Sequence, residues 1–184
     1  MGNLQPVSNV RPIAGVLAAD QEWLDKAQAL LAGYFGPMAA ASLPVSFTHT
    51  HYYAAEMGEQ LWRQFLVFEK LRPAEELADW KLAANALERE AGTNERGGRR
   101  LNLDPGYLAP GKLVLASTKN HEHRLYLRDG VYAEVTLRIR QRRFAAWPWT
   151  YPDYDAGRDF FDSAYAAYLQ VLGQAGQTQG ATLL

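Results

Sequence analysis

An α+β fold, with a ferredoxin-like βαββαβ core extended by an antiparallel β-hairpin sheet and a C-terminal helix, is predicted by three observations. Apolar runs of strand length alternate with helical periodicity in the order strand, helix, strand, strand, helix, strand, the order of a split βαβ unit. Further strands then meet around Arg128-Asp129-Gly130, a turn sequence. A last amphipathic stretch, Ala156 to Leu172, follows an aromatic segment that contains two prolines. The 184 residues, 48% hydrophobic and 21% charged, suit one domain with a real core.

Residues 1–11 are polar and read as a loose segment, so the domain is set at 12–173. Pro12 to Ala19 reads as a buried strand, and Asp20 caps a helix from Gln21 to Tyr34 whose stripe is Leu24, Ala27, Leu31 and Tyr34. Gly36-Pro37 ends that helix, and strands are expected at Val45 to Thr50 and Leu61 to Glu69. Pro73 opens a long helix at its first turn, with Leu77, Trp80, Ala84, Leu87 and Ala91 as its buried stripe. Lys81, Asn85 and Glu88 run beside that stripe and read as a solvated row. Residues 92–98 are a flexible loop, and Asp104-Pro105-Gly106 fits a type II turn.

The hairpin is worked out from its loop. A three-residue loop, Arg128-Asp129-Gly130, puts Gly130 in the left-handed position and sorts the faces. Leu127, Leu125 and His123 then lie opposite Val131, Ala133 and Val135, with Leu137 and Ile139 continuing a core face. Tyr126, Arg124 and Glu122 share the other face with Tyr132, Glu134, Thr136, Arg138 and Arg140, and Arg124 stands directly across from Glu134. Trp147 to Tyr154 holds four aromatics in eight residues, is kept extended by Pro148 and Pro152, and is expected to cover the core. Gly173 closes the last helix, and 174–184 reads as a disordered tail.

Composition excludes several classes. A net charge of −1 and a pI near 6.4 lack the basic excess of a dedicated nucleic-acid binder. With no cysteine there is no disulfide framework, thiolate nucleophile or thiolate metal site. Met1 to Pro12 lacks the apolar core of a signal peptide, no run approaches membrane-spanning length, and Pro6 stands where a myristoylation signal wants Ser or Thr. The expectation is a cytoplasmic protein without a membrane partner.

The runs Thr50-His-Tyr-Tyr-Ala-Ala-Glu-Met-Gly58, Phe68-Glu-Lys70, Asn102-Leu-Asp-Pro-Gly-Tyr-Leu108, Lys112-Leu-Val-Leu-Ala-Ser-Thr-Lys119, His123-Arg124, Tyr132-Ala-Glu134 and Pro148-Trp-Thr-Tyr-Pro-Asp-Tyr154 carry a resemblance. Across nearly its whole length the chain resembles the uncharacterised prokaryotic family catalogued as domain of unknown function 4416. Some members bear the label GTP-binding protein, so the resemblance implies nucleotide binding. The residues do not supply a P-loop, because no Gly-rich loop ends in Gly-Lys-Ser/Thr. Thr118-Lys119-Asn120-His121 resembles a guanine-reading Thr-Lys-x-Asp run, with His121 where the aspartate belongs.

Taken together, the face assignment and the family runs point to a small anionic ligand, a nucleotide or phosphorylated metabolite, held on the polar sheet face. Lys112, Lys119, Arg124 and Arg138 supply positive charge. Asn102, Thr118 and Tyr126 orient the ligand, and Glu134 holds Arg124 or acts as a base. Asp104, Tyr107 and His123 complete the candidate set. Two alternatives stand beside it. His49, His51, His121 and His123 form two His-x-His pairs suited to a transition-metal enzyme. Arg138, Arg140, Arg142 and Arg143 near Trp147 and Trp149 suit an RNA-interacting module without catalysis.

Overall fold

The computed structural model describes residues 9–181. Residues 1–8 and 182–184, most of the expected loose segment and the end of the expected tail, lie outside the described residues. Nine strands form one open antiparallel sheet: β1 (Arg11–Ala18), β2 (Met38–Ala41), β3 (Val45–Ser46), β4 (Trp62–Phe68), β5 (Leu101–Ala109), β6 (Lys112–Ser117), β7 (Leu125–Arg128), β8 (Val131–Arg140) and β9 (Arg143–Ala146). The order is β2-β4-β1-β5-β6-β8-β7, with β3 added to β4 and β9 to β8. Five helices accompany it: α1 (Gln21–Phe35), α2 (Ala54–Met57), α3 (Leu77–Glu90), α4 (Pro152–Ala156) and α5 (Arg158–Ala181).

Both sheet faces are covered, which is why β1 is buried along its whole length. On one face α1 and α3 bury Leu24, Leu31, Phe35, Leu77 and Trp80 against Val16, Leu66, Leu103 and Val114. On the other, α5 lays Phe161, Ala164 and Tyr168 over Ile13, Phe65, Leu113, Leu137 and Phe144. The Asp20 carboxylate accepts the Trp23 N–H at 2.9 Å and so starts α1, and Gly36 at φ 89° ends it. The buried stripe of α1 finishes on Phe35, with Tyr34 only partly buried.

The register of the hairpin is as expected, with Leu125 opposite Ala133 and Tyr126 opposite Tyr132. Its loop differs. Asp129 (φ 52°) and Gly130 (φ 74°) are both left-handed and form a two-residue turn, while a bulge at Leu127 absorbs the extra residue. The expected core face is corrected in three places. Leu125 is 75% exposed, because β7 is the sheet's edge and no helix covers it. A second bulge, at Thr136, moves Leu137 and Ile139 to the α5 face, while Val131 stays on the α1 and α3 face. A backbone turn from His121 to Arg124 ends the strand early, so His123 meets Glu134 instead of the core.

Other boundaries shift for local reasons. The strand expected at 45–50 is replaced by β2 and β3, because the chain leaves Gly36-Pro37 already paired to Phe68. The segment expected to stay extended to Tyr154 turns helical at Pro152, which sits in the first turn where its missing N–H costs nothing. Gly173 does not stop α5, which continues to Ala181.

The Asp104-Pro105-Gly106 turn is absent, and all three residues are extended within β5, facing Gly15, Ala14 and Ile13 of β1. The chain reverses instead at the next Pro-Gly pair, Pro110-Gly111, with Gly111 at φ 85°. Two facts make β5 tolerate Pro105. The Leu103 N–H points away from β1 to the Glu88 carboxylate, so the N–H that Pro105 lacks belongs to that same side, where β6 has not yet joined. Gly106 meanwhile leaves room for the Val114 carbonyl, which a Cβ would strike.

Glu88 is therefore the partner of an otherwise orphaned N–H, at 2.6 Å. Replacing Glu88 with Ala is expected to lower stability by about 1–3 kcal/mol in urea unfolding, while Ala at the exposed Glu90 shifts it by less than about 0.5 kcal/mol. Equal effects at the two positions would refute this role for Glu88.

Candidate functional site

β5 and β6 pair only from Gly106 and Leu115 outward. Before that point β5 holds β1 alone, and beyond Leu115 β6 holds β8 alone, so the two strands part within the sheet. α3 lies behind the opening. Lys81 reaches in and donates to the Leu103 carbonyl at 2.8 Å, beside the bond from the Leu103 N–H to Glu88. A pocket of about 480 Å³ occupies the parting, within the size range of small-molecule sites.

The floor is ionic and buried. The Asp104 carboxylate stands 3.5 Å from Lys81 Nζ and 3.6 Å from Arg63 Nη1, and accepts from the Asn102 amide at 2.7 Å. Arg63 also pairs with Asp153 at 2.7 Å. Burial pushes the Asp104 carboxyl up, but Lys81, Arg63 and the Asn102 bond outweigh it and hold it below its ordinary value. The Glu88 carboxyl goes the other way, because burial exceeds the pull of Lys81, the Leu103 N–H and Arg99. Gly15, opposite Asp104 on β1, has no side chain because a Cβ would strike the Tyr154 hydroxyl.

The wall on the α5 side is made by Arg124, Glu134 and residues 147–154. Arg124 donates to Glu134 (2.8 Å), Ser117 Oγ (2.7 Å), the Lys119 carbonyl (2.9 Å) and Tyr151 Oη (2.8 Å), which engages four of its five N–H groups. Glu134 is held in turn by the His123 ring and Thr136. Thr150 Oγ1 donates to the Thr136 carbonyl exposed by the bulge, and the Trp149 indole donates to the Val135 carbonyl. The rings of His121, His123, Trp149 and Trp147 stack in sequence, and the Arg138 guanidinium caps Trp147 at 3.7 Å.

Five basic and three acidic side chains line this pocket. Arg63 and Lys81 face Asp104 and Asp153, Arg124 faces Glu134, and Arg99 pairs with Glu56 at 3.0 Å and Glu88 at 3.2 Å. Lys119 has no carboxylate partner among the described residues. Its ammonium lies 3.9 Å from the Tyr52 ring centre, and that proximity lowers the phenol's pKa.

The model of the family described as Domain of unknown function (DUF4416) matches residues 8–168. The chain belongs to that family. No curated protein and no solved structure matches it.

Of the residues singled out in this DUF4416 chain, Asn102, Asp104, Thr118, Lys119, Arg124 and Glu134 converge on the pocket. Tyr107 packs beside Trp80, Lys112 is exposed, Tyr126 is 62% exposed on the edge strand, and Arg138 lies on Trp147, all away from it. The strip joining Arg124, Tyr126, Glu134 and Arg138 is thus not one site. His123 stands behind Glu134, and of the histidines only His49 and His121 reach the lining. The described residues contain no group of three or more His, Asp or Glu able to hold a metal ion. Arg143 of the arginine cluster pairs with Asp159 and Asp162 on α5. Lys81 and Asn85, expected in a solvated row, line the pocket instead, and Arg63 and Asp153 join it without having been expected there, although Arg63 is a charge inside an apolar run and Gly15 a gap in another.

No helix among the described residues is long and apolar enough to cross a membrane. The pocket does set a pH dependence. A carboxyl held below its ordinary 3.8 stabilises the fold above that pH and loses the contribution as pH falls through the depressed value. The stability gap between wild type and Asp104→Asn, read from urea midpoints, is therefore expected to be largest near neutrality and to shrink below pH 3.8. A gap that widened on acidification would contradict the ionised state of Asp104.

Proposed function

We propose that the parting between β5 and β6 binds a small anionic ligand, a nucleotide or phosphorylated metabolite. The observation that carries this reading is Lys119, a pocket cation with no carboxylate partner in a site whose other cations are all paired. Ser117 and Thr118 stand beside it with hydroxyls able to donate to phosphate oxygens. Arg124 supports this end from behind by fixing the Lys119 carbonyl and Ser117, and its role is to shape the loop rather than to clamp the ligand. Exposed rings in the lining, His49, Tyr52 and His121, offer flat surface for the rest of the molecule.

The same reading includes a ferredoxin-like core. The order β2-β4-β1-β5, with α1 and α3 joining its strands on one face, supports it. The ligand site then lies where that core meets the added strands β6 to β9.

A thermal-shift screen of nucleotides and phosphorylated metabolites tests the proposal. A ligand at about 100 times its dissociation constant stabilises by about 2.7 kcal/mol. Lys119→Ala is expected to remove most of that shift, and Ala at the exposed Lys112 to leave it intact. A shift that survives in Lys119→Ala would remove the basis for the reading.

A further inference from the structure

We infer that the inner end of this pocket is a hydroxyl subsite, so that the ligand is a phosphorylated polyhydroxy compound such as a sugar phosphate or the ribose phosphate of a nucleotide. The inference rests on the anionic reading and extends it to the floor, which is lined by paired charges and hydrogen-bonding side chains.

 Each charge on the floor has an opposite partner: Arg63 with Asp153, and Lys81 with Asp104. A second anionic group placed there would meet two carboxylates, and an ammonium would meet Arg63 and Lys81, so the floor suits a neutral group.

That group must also both accept and donate. The Asp104 side chain keeps a quarter of its surface open in the pocket, and Asn85, only partly buried, lines the same floor. Asp104, ionised between its two cations, only accepts. A hydroxyl donates a hydrogen bond to Asp104 and accepts one from the Asn85 amide, which also lines the pocket. Lys119 lies at the rim of the same pocket, so an anionic end held there leaves the hydroxyl end inside.

Calorimetric titration of the full chain tests this with ribose 5-phosphate and glucose 6-phosphate, analogues of each lacking one hydroxyl at a time, and methyl phosphate and inorganic phosphate. The parent compounds are expected to bind at least roughly tenfold more tightly than methyl phosphate and than one or more of their own deoxy analogues. Asn85→Ala, which leaves the charges of the floor balanced, is expected to narrow that difference severalfold while methyl phosphate keeps its affinity. Equal affinity for the parent compounds, their deoxy analogues and methyl phosphate would overturn the hydroxyl subsite and leave the anionic reading standing. Absence of binding by every phosphate probe would overturn both. Should Asn85→Ala fail to fold, the ligand series on the wild-type chain decides alone.

Discussion

The peptide group of Leu103 governs this structure, because β6 leaves β5 before reaching it and both its N–H and its C=O lose their strand partner. Left open, such groups would cost about 1–3 kcal/mol each. Glu88 and Lys81 of α3 take the strand's place at 2.6 Å and 2.8 Å. Burying two ions is itself unfavourable, and Arg99 beside Glu88 and Asp104 beside Lys81 offset that cost. The charge of Asp104 then requires Arg63 nearby, and Arg63 requires Asp153. One unpaired stretch of backbone thus draws a chain of buried ions into the middle of the sheet.

Residues 147–154 close this arrangement from the other side and do more than cover apolar surface. Their side chains fasten them where the Thr136 bulge turns a carbonyl outward to the Thr150 hydroxyl. Fastened there, Tyr151 reaches Arg124 and Asp153 reaches Arg63, so a single segment supplies a partner to both the wall and the floor. Gly15 makes the arrangement possible, since only an absent Cβ leaves space for Tyr154 beneath Arg63. The parallel stack from His121 to Trp147 stiffens the strip between these anchor points.

Much of the fold was legible in periodicity and turn chemistry. Leu24, Ala27 and Leu31 marked the buried side of α1, and Leu125 opposite Ala133 followed from the alternation of the hairpin. What escaped was information carried by strand neighbours distant in sequence. Pro105-Gly106 has the local signature of a turn, and only the parting of β5 from β6 explains why it stays extended. Lys81, Asn85 and Glu88 have the spacing of a solvated row, yet Lys81 and Glu88 are buried because an opening in the sheet lies in front of them. For the site, Arg124 and Glu134 were readable as a cross-strand pair, whereas Arg63 and Asp153, ninety residues apart in sequence, have no local pattern that joins them.

The division of charge within the pocket bears on how a ligand would be held. Lys119 is exposed on the loop after β6, where water and salt weaken its field, so its pull on an anion is modest despite having no carboxylate to compete with. The floor is the reverse: Arg63, Lys81 and Asp153 are nearly dry, Asp104 is only partly open, and together they are mutually neutralised, so the floor acts on a ligand through oriented hydrogen bonds. Attraction and selection therefore fall to opposite ends of one cavity. A net charge of −1 for the whole chain is compatible with an anionic ligand for the same reason, since the fields that matter act within a few ångströms of Lys119 and the floor contributes none of the net charge.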